Sequence, residues 1–262
     1  MEHKEYKQLH AEWYELWSGR KDQSEEFDYW TRSVEAYGEP VLELGSGWGK
    51  IQHPLLERGF DIVGIDTSED MMARCRATCE ARGLKPELYE QSMVEFDLGR
   101  EFALIILPSG GLGLFTSDRD ISATFQRVMA HLKPGGSFIY GFSPVPDGQN
   151  IENKQENDSW EGNWVRGPDD VVITWRIQRQ YAPSTHIWEG LWVFEKFIGG
   201  QLVKTEANER EGRLFTVDEA VQYAESAGFE VMSVKNFLTD DPPTTDADTI
   251  NIECIKPLEK VA

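Results

Sequence analysis

Val41-Leu42-Glu43-Leu44-Gly45-Ser46-Gly47-Trp48-Gly49-Lys50 decides how this chain reads. Four strand-like residues lead into three glycines at every second position, and the apolar residues that follow, Ile51, Leu55 and Leu56, fall at helical spacing. Strand, glycine-rich turn and helix in that order is how α/β proteins build a nucleotide site. The glycines allow a sharp turn and the approach of a ligand that a Cβ would block, and the helix directs its first N–H groups at that ligand. The spacing is G-x-G-x-G. A dinucleotide fingerprint, G-x-G-x-x-G, would need its third glycine at position 50, which is Lys50. Glu43 stands two residues before Gly45, where it would repel a pyrophosphate.

Working outward, Phe60-Asp61-Ile62-Val63-Gly64-Ile65-Asp66 reads as a second buried strand ending in an acid, 21 residues beyond Gly45. A carboxylate at the end of the neighbouring strand can accept both ribose hydroxyls of a nucleoside. Ser68 is the expected cap of a helix over 69–82, with Gly83 as its stop. Residues 86–90 read as a third strand, followed by Gln91-Ser92-Met93. The unbroken apolar run 102–108 marks a central parallel strand, with Ser109-Gly110-Gly111-Leu112-Gly113 at the end where ligands sit in open α/β sheets. A helix over 118–132, the turn Lys133-Pro134-Gly135-Gly136 and a strand over 137–142 come next.

From residue 144 to 159 the chain is polar and reads as loop; beyond it the pattern changes to period two. Segments 171–181, 187–198 and 201–206, with Gly199-Gly200 as a hairpin turn, predict a three-stranded antiparallel insertion after the fifth strand. Its tryptophans, among them Trp160, Trp164, Trp175, Trp188 and Trp192, read chiefly as core for a small sheet. Thr216 with Glu219 forms a capping box for a helix over 216–227, and strands over 229–237 and 249–255 finish the chain. Two helices, over 4–17 and 24–37, precede the first strand.

E-x-G-x-G-x-G at Glu43–Gly49, D-x-S-x-x-M at Asp66–Met71, L-K-P-G-G at 132–136 and Ala227-Gly228-Phe229 together resemble the class I S-adenosylmethionine (SAM) dependent methyltransferases, in their small-molecule branch of glycine and sugar N-methyltransferases. The resemblance implies a doubly wound, seven-stranded Rossmann-like sheet with its last strand antiparallel and a β insertion. Its organisation would be an N-terminal helical lid (1–37), a SAM-binding domain (38–143 and 213–262) and an insertion roofing the substrate (144–212). It implies SAM as cofactor, S-adenosylhomocysteine (SAH) as product and no metal. The cofactor residues it implies are Glu43, Gly45, Ser46, Gly47, Gly49, Asp66, Thr67, Ser68 and Met71, then Gln91, Ser92, Met93, Leu107 and Leu112. Glu43 suits SAM because that ligand carries an ammonium and a sulfonium. The family often has an acid in the loop where Gln91 and Ser92 stand. Sugar-amine methylating relatives tend to have a histidine where this chain has Leu114.

The expected reaction is methyl transfer to N or O of a small molecule. Tyr14, Trp30, Tyr140, Arg176 and Arg213 are the substrate-contact candidates, Arg213 because it resembles the R-x-[FY]-[ST] lead-in to the family's last helix. His10, Tyr14, Tyr140, Tyr181 and His186 are candidate bases; none is singled out, so no catalytic residue is assigned. A non-catalytic SAM-binding regulator and an NAD(P)-dependent oxidoreductase stay open as alternatives.

The 262 residues suit one large domain with an insertion, and a hydrophobic fraction of 40% is enough for a core. A net charge of −20 sets the surface against DNA or RNA. No apolar run is long enough for a membrane span, and a polar N-terminus points to the cytoplasm as the expected location. Cys75, Cys79 and Cys254 read as structural thiols of a reducing compartment. A monomer or a homodimer is equally compatible.

Overall fold

The computed structural model describes residues 6–20, 23–146 and 161–258. Helices α1 (Gln8–Ser18) and α2 (Ser24–Tyr37) come first. Strands β1 (Val41–Leu44), β2 (Ile62–Asp66) and β3 (Glu87–Glu90) alternate with α3 (Gln52–Glu57) and α4 (Glu69–Ala81). Then come β4 (Phe102–Leu107), a single 3-10 turn (Gly111–Leu114), α5 (Asp118–His131) and β5 (Leu132–Phe142). The insertion holds β6 (Glu161–Arg166), β7 (Val171–Ala182), β8 (Ile187–Ile198) and β9 (Gln201–Arg213); α6 (Val217–Ser226), β10 (Glu230–Asn236) and β11 (Ile250–Ile255) complete the chain.

Among the described residues the main sheet has seven strands in the order β10-β11-β5-β4-β1-β2-β3. Strands β1 to β5 pair in parallel, and β11 runs antiparallel to both neighbours, as expected. The strand order reverses between β1 and β4. Loops leaving the C-terminal ends of these two strands diverge and leave a crevice there.

Period-two alternation divides the core between the faces of the sheet. Leu42, Leu44, Val63, Ile65, Ile105, Leu107, Phe138 and Tyr140 meet α5 and α6 on one face. Val41, Ile62, Leu104, Ile106 and Ile139 meet α2 and α3 on the other, with Trp30 and Val34 packed on them. Glu43 belongs by alternation to this second face and is buried with it. Opposite it in register stands Gly64. A Cβ on Gly64 would come within 2.7 Å of the Ser46 side chain and 2.6 Å of the Gln52 amide. The missing side chain is what lets the glycine turn fold down beside Glu43.

Two of the expected helix caps form. Ser68 Oγ accepts the Met71 N–H, and Thr216 with Glu219 makes the reciprocal capping box. Elsewhere the expectations need correction. The insertion has four strands, not three, and β9 runs to Arg213 rather than ending near residue 206. In β6 only Val165 is buried, so no apolar alternation marks it as a strand. In the second half of β9 the inward set is Glu206, Asn208, Arg210 and Gly212, so the alternation is present but is written in polar residues. Lys133–Gly136 is not a free turn but an excursion within β5, since pairing with β4 jumps from Phe102↔Leu132 to Leu104↔Ser137. Most of the expected loop at 144–159, and Trp160, lie outside the described residues.

Candidate active site

A cavity of about 270 Å³ opens at the reversal point between β1 and β4. Its floor is the glycine turn. Gly45 and Gly47 adopt φ of +69° and +56°, values that L side chains rarely hold, and a Cβ at either would contact the methyl of Met93 or of Met71. Asp66 fixes this turn: one carboxylate oxygen accepts the Gly47 N–H at 2.8 Å, the other the Ser68 N–H at 2.8 Å. Beyond Asp66, Gln91, Ser92 and Met93 form one end of the cavity. Pro108, Gly111, Leu114 and Thr116, from the loop after β4, form the other.

Glu43 is the electrostatic centre. It lines the cavity although it is only 2% exposed, and its Oε2 has no hydrogen-bond partner among the described residues; nor has the nearby Ser46 Oγ. Burial, and after it the charges of Asp66 and Glu26, push its carboxyl well above the usual carboxylate range, against the opposing effect of Gln52 and Lys50. Lys50 is itself ion-paired to Glu26. A buried acid with an unused oxygen beside a cavity is a binding feature for a cationic group.

Helix α1 packs against one side of the cavity. The carbonyl of Tyr6, just before it, accepts from the Ser68 hydroxyl; Trp48 Nε1 donates to Ser18 Oγ at 2.9 Å; Glu15 pairs with Arg74. The opposite face of α1 carries the insertion: Lys196 reaches Glu12 at 2.7 Å, and Leu9 N–H donates to Glu206 at 3.0 Å. Trp13 packs among Trp175, Trp192 and Phe194. The aromatics of this sheet thus hold α1 in place. Tyr14 is the α1 side chain that lines the cavity, and burial, with Tyr6, Glu26 and Glu43 nearby, raises its phenol far above the ordinary value, so it stays neutral.

Of the residues expected at a cofactor site, Glu43, Gly45, Ser46, Gly47, Asp66, Thr67, Met71, Gln91, Ser92, Met93 and Leu107 all line this one cavity. Gly49, Ser68 and Leu112 stand behind it. A Cβ on Gly49 would lie 2.4 Å from Cys75 Sγ, so that glycine serves the packing of the turn on α4. Ser68 caps α4, and Leu112 is core.

The substrate candidates fare differently. Only Tyr14 lies at the cavity. Trp30 is buried between α2 and the sheet. Tyr140 points into the α5–α6 layer and donates to the Ala220 carbonyl at 2.8 Å. Arg176 falls on the exposed phase of β7, opposite to Ile173 and Ile177, near Glu195. Arg213 joins the end of β9 to Asp118 at 2.5 Å and Glu219 at 3.4 Å, with the Tyr223 hydroxyl sharing Asp118. Arg213→Ala should therefore lower stability by about 1 kcal/mol and leave nucleoside binding within about twofold, checked by thermal melts and calorimetry on the same preparation.

Among the candidate bases, His10 is buried and its pKa is pushed down to about 2, by burial first and by Arg210 second. His186 is taken by Glu219 at 3.1 Å. Tyr181, like His10 and His186, does not line the cavity. Four polar residues not foreseen from the sequence do: Thr116, Asp120, Arg210 and Glu211. Thr116 donates to Glu211 at 3.3 Å. The signal that was available for Arg210 and its neighbours is the polar inward phase of β9. No cluster able to hold a metal ion occurs among the described residues.

Comparison with known proteins agrees with this geometry. Residues 41–136 match the family model of a methyltransferase domain. A protein of Geobacillus sp. (strain WCH70), provisionally named a methyltransferase, is 23% identical over 86% of this chain and 90% of its own. YqeM of Bacillus subtilis (strain 168), named likewise, is 24% identical over 86% and 88%. The fold matches a SAM-dependent methyltransferase from Clostridium acetobutylicum ATCC 824 with a TM-score of 0.75 at 16% identity, covering 93% and 95% of the two chains. It also matches the SAM-bound amino pentose methyltransferase CalS10 from Micromonospora echinaspora, with a TM-score of 0.68 at 17% identity and coverage of 96% and 98%.

Proposed function

We propose that this chain, a SAM-dependent methyltransferase by its domain match, relatives and fold, methylates a nitrogen or oxygen atom of a small-molecule acceptor by direct in-line displacement. The observation that carries this reading is the continuity of the cavity. One continuous cleft runs from Gln91–Met93, past Asp66 and the glycine turn, to the loop after β4 and to Arg210 and Glu211 of β9. Such a space suits a nucleoside at one end and a compact acceptor at the other, and leaves little room for a polymer.

When bound, SAM supplies a methyl group on a sulfonium, a leaving group that needs no further activation. The residues of this chain would hold and orient. Asp66, at the end of β2, would accept the ribose hydroxyls. Glu43, ionised against an ammonium, takes the charged end, with Ser46 Oγ beside it. Ser92 and the backbone of Gln91, whose side-chain amide is held by the Asp97 backbone, would meet the edge of the adenine, and Met93 and Leu107 its apolar surfaces. Gly49, Ser68 and Leu112 support the turn from behind. Tyr14, neutral and buried, shields the reacting end from water and can accept or donate a hydrogen bond without changing charge. We read residues 1–37 as the lid, 144–212 as the roof and the remainder as the cofactor domain. Alignment and exclusion of water supply the rate, so an amine acceptor that arrives unprotonated needs no base. With a charge of −20 and no helix among the described residues long and apolar enough to cross a membrane, we propose action on free metabolites in the cytoplasm.

Calorimetric titration with SAH, and with NADH in parallel, tests the cofactor. Micromolar SAH binding without NADH binding is expected. Binding of NADH alone would return the oxidoreductase reading. Transfer of labelled methyl from SAM to a panel of amines and hydroxyl compounds then tests turnover; tight SAH binding with no transfer to any of them would favour the regulator.

A further inference from the structure

Arg210 is a buried guanidinium with no carboxylate of its own. It is 7% exposed, lines the cavity, and no acid among the described residues forms an ion pair with it. Its surroundings hold it without neutralising it. The guanidinium carbon lies 4.2 Å over the Tyr6 ring and 5.9 Å from that of Trp192, and Nη1 donates to His10 Nδ1 at 3.1 Å. His10 can only be an uncharged acceptor here, because burial and Arg210 itself keep it unprotonated. The other cation lining the cavity, Lys50, is already paired with Glu26. A guanidinium has five N–H donors, and desolvating it without a counter-charge is unfavourable unless a ligand provides one. The adjacent Glu211 also lines the cavity, but its carboxylate takes the Thr116 hydroxyl instead.

Building on the methyl-transfer reading, we propose that Arg210 is an anion-recognition residue, and that the acceptor carries a carboxylate or phosphate which it binds. Arg210 belongs to β9, whose next residue, Glu211, takes Thr116 of the loop after β4, while Arg210 itself lies over Tyr6, whose carbonyl meets Ser68. An anion held there leaves the nucleophilic atom of the acceptor directed back toward the glycine turn. The cofactor's own carboxylate is the other possible source of the same chemistry.

The full-length chain and its Arg210→Gln and Arg210→Lys variants would be titrated with SAH and with 5′-methylthioadenosine, which shares the nucleoside but lacks the amino-acid end. SAH-saturated protein would then be titrated with acetate and with inorganic phosphate. The expected result is weak anion binding to the SAH-loaded wild type, reduced at least about tenfold in Arg210→Gln and partly kept in Arg210→Lys, with SAH affinity changed less than about threefold. If Arg210→Gln instead weakens SAH about tenfold and leaves 5′-methylthioadenosine unchanged, the anion is the cofactor's carboxylate and the acceptor assignment falls. No anion binding to the wild type and no change in SAH affinity would overturn the proposal entirely. Should wild type fail to bind SAH, the cofactor reading fails, and the anion titrations on unloaded protein still decide the role of Arg210. Melting curves identify any variant that does not fold, and Arg210→Lys, with its charge kept, covers that case.

Discussion

Asp66→Ala should abolish measurable SAH binding under conditions where the wild type binds at micromolar concentration. Two losses combine. The carboxylate would no longer accept ribose hydroxyls, which as two charge-assisted hydrogen bonds amounts to about 3 kcal/mol or more, roughly a hundredfold in Kd. It would also release the Gly47 and Ser68 N–H groups, both held at 2.8 Å, so the glycine turn and the start of α4 lose their common anchor. Asp66→Asn separates the two losses. One amide oxygen can still accept a backbone N–H, while the amide nitrogen opposes the other. Its melting temperature should lie close to that of wild type although its SAH affinity falls at least tenfold by the same reasoning. An SAH affinity within about threefold of wild type in a folded Asp66→Ala protein would remove Asp66 from the cofactor site.

Glu43→Gln should bind SAH about a hundredfold more weakly, yet be more stable than the wild type without ligand. Breaking a buried charge pair by removing one partner costs about 3 kcal/mol, and that pair exists only when an ammonium occupies the cavity. In the free protein the same carboxyl is a liability. Its folded pKa is raised above the ordinary 4.5, by burial first and by Asp66 and Glu26 next. For a raised carboxyl the favourable balance is complete below the unfolded pKa. It is lost as pH rises through the folded pKa, because ionisation is easier in the unfolded chain. The stabilising effect of Gln should therefore be small near pH 4.5 and grow toward alkaline pH. Binding of an ammonium would reverse the bias, ionise Glu43 and release a proton. Calorimetry of SAH binding in buffers of different ionisation enthalpy should detect that proton in the wild type and not in Glu43→Gln. Equal proton release by both proteins, or a Gln variant less stable at pH 8 than the wild type, would contradict this account.

Both residues come from the part of the molecule that a linear reading could reach. The glycine turn, the acid before it and the acid at the end of β2 lie on adjacent strands, and fixed spacing along the chain becomes fixed spacing in space through parallel pairing of Val41↔Ile62 to Leu44↔Ile65. Apolar periodicity likewise settled the order of helices and strands of the main sheet, in which β1 and β4 diverge, though not the strands of the insertion. Ser68 and Thr216 were legible as caps because capping is a contact within four residues.

The acceptor end was not legible in that way. Tyr14, Thr116, Asp120, Arg210 and Glu211 come from α1, the loop after β4, α5 and β9, and only folding brings them to one cavity. Residue type misled where direction mattered. Tyr140 and Trp30 look like substrate contacts but lie along strand and helix faces that pack inward, and Arg213 is occupied by Asp118 and Glu219. Arg176 could have been set aside from alternation alone, since Ile173 and Ile177 take the buried phase of β7. Arg210 was hidden for the converse reason. Its inward phase is polar, Glu206, Asn208, Arg210 and Gly212, so it escapes a search for apolar alternation, and of these four only Arg210 lines the cavity. The sequence by itself determined the sheet, the glycine turn and the nucleoside end, because those depend on local periodicity and on neighbours in register. The tertiary structure alone decided which side chains face the acceptor and which charges remain unpaired, because burial and counter-charge depend on distance in space, which sequence separation does not measure.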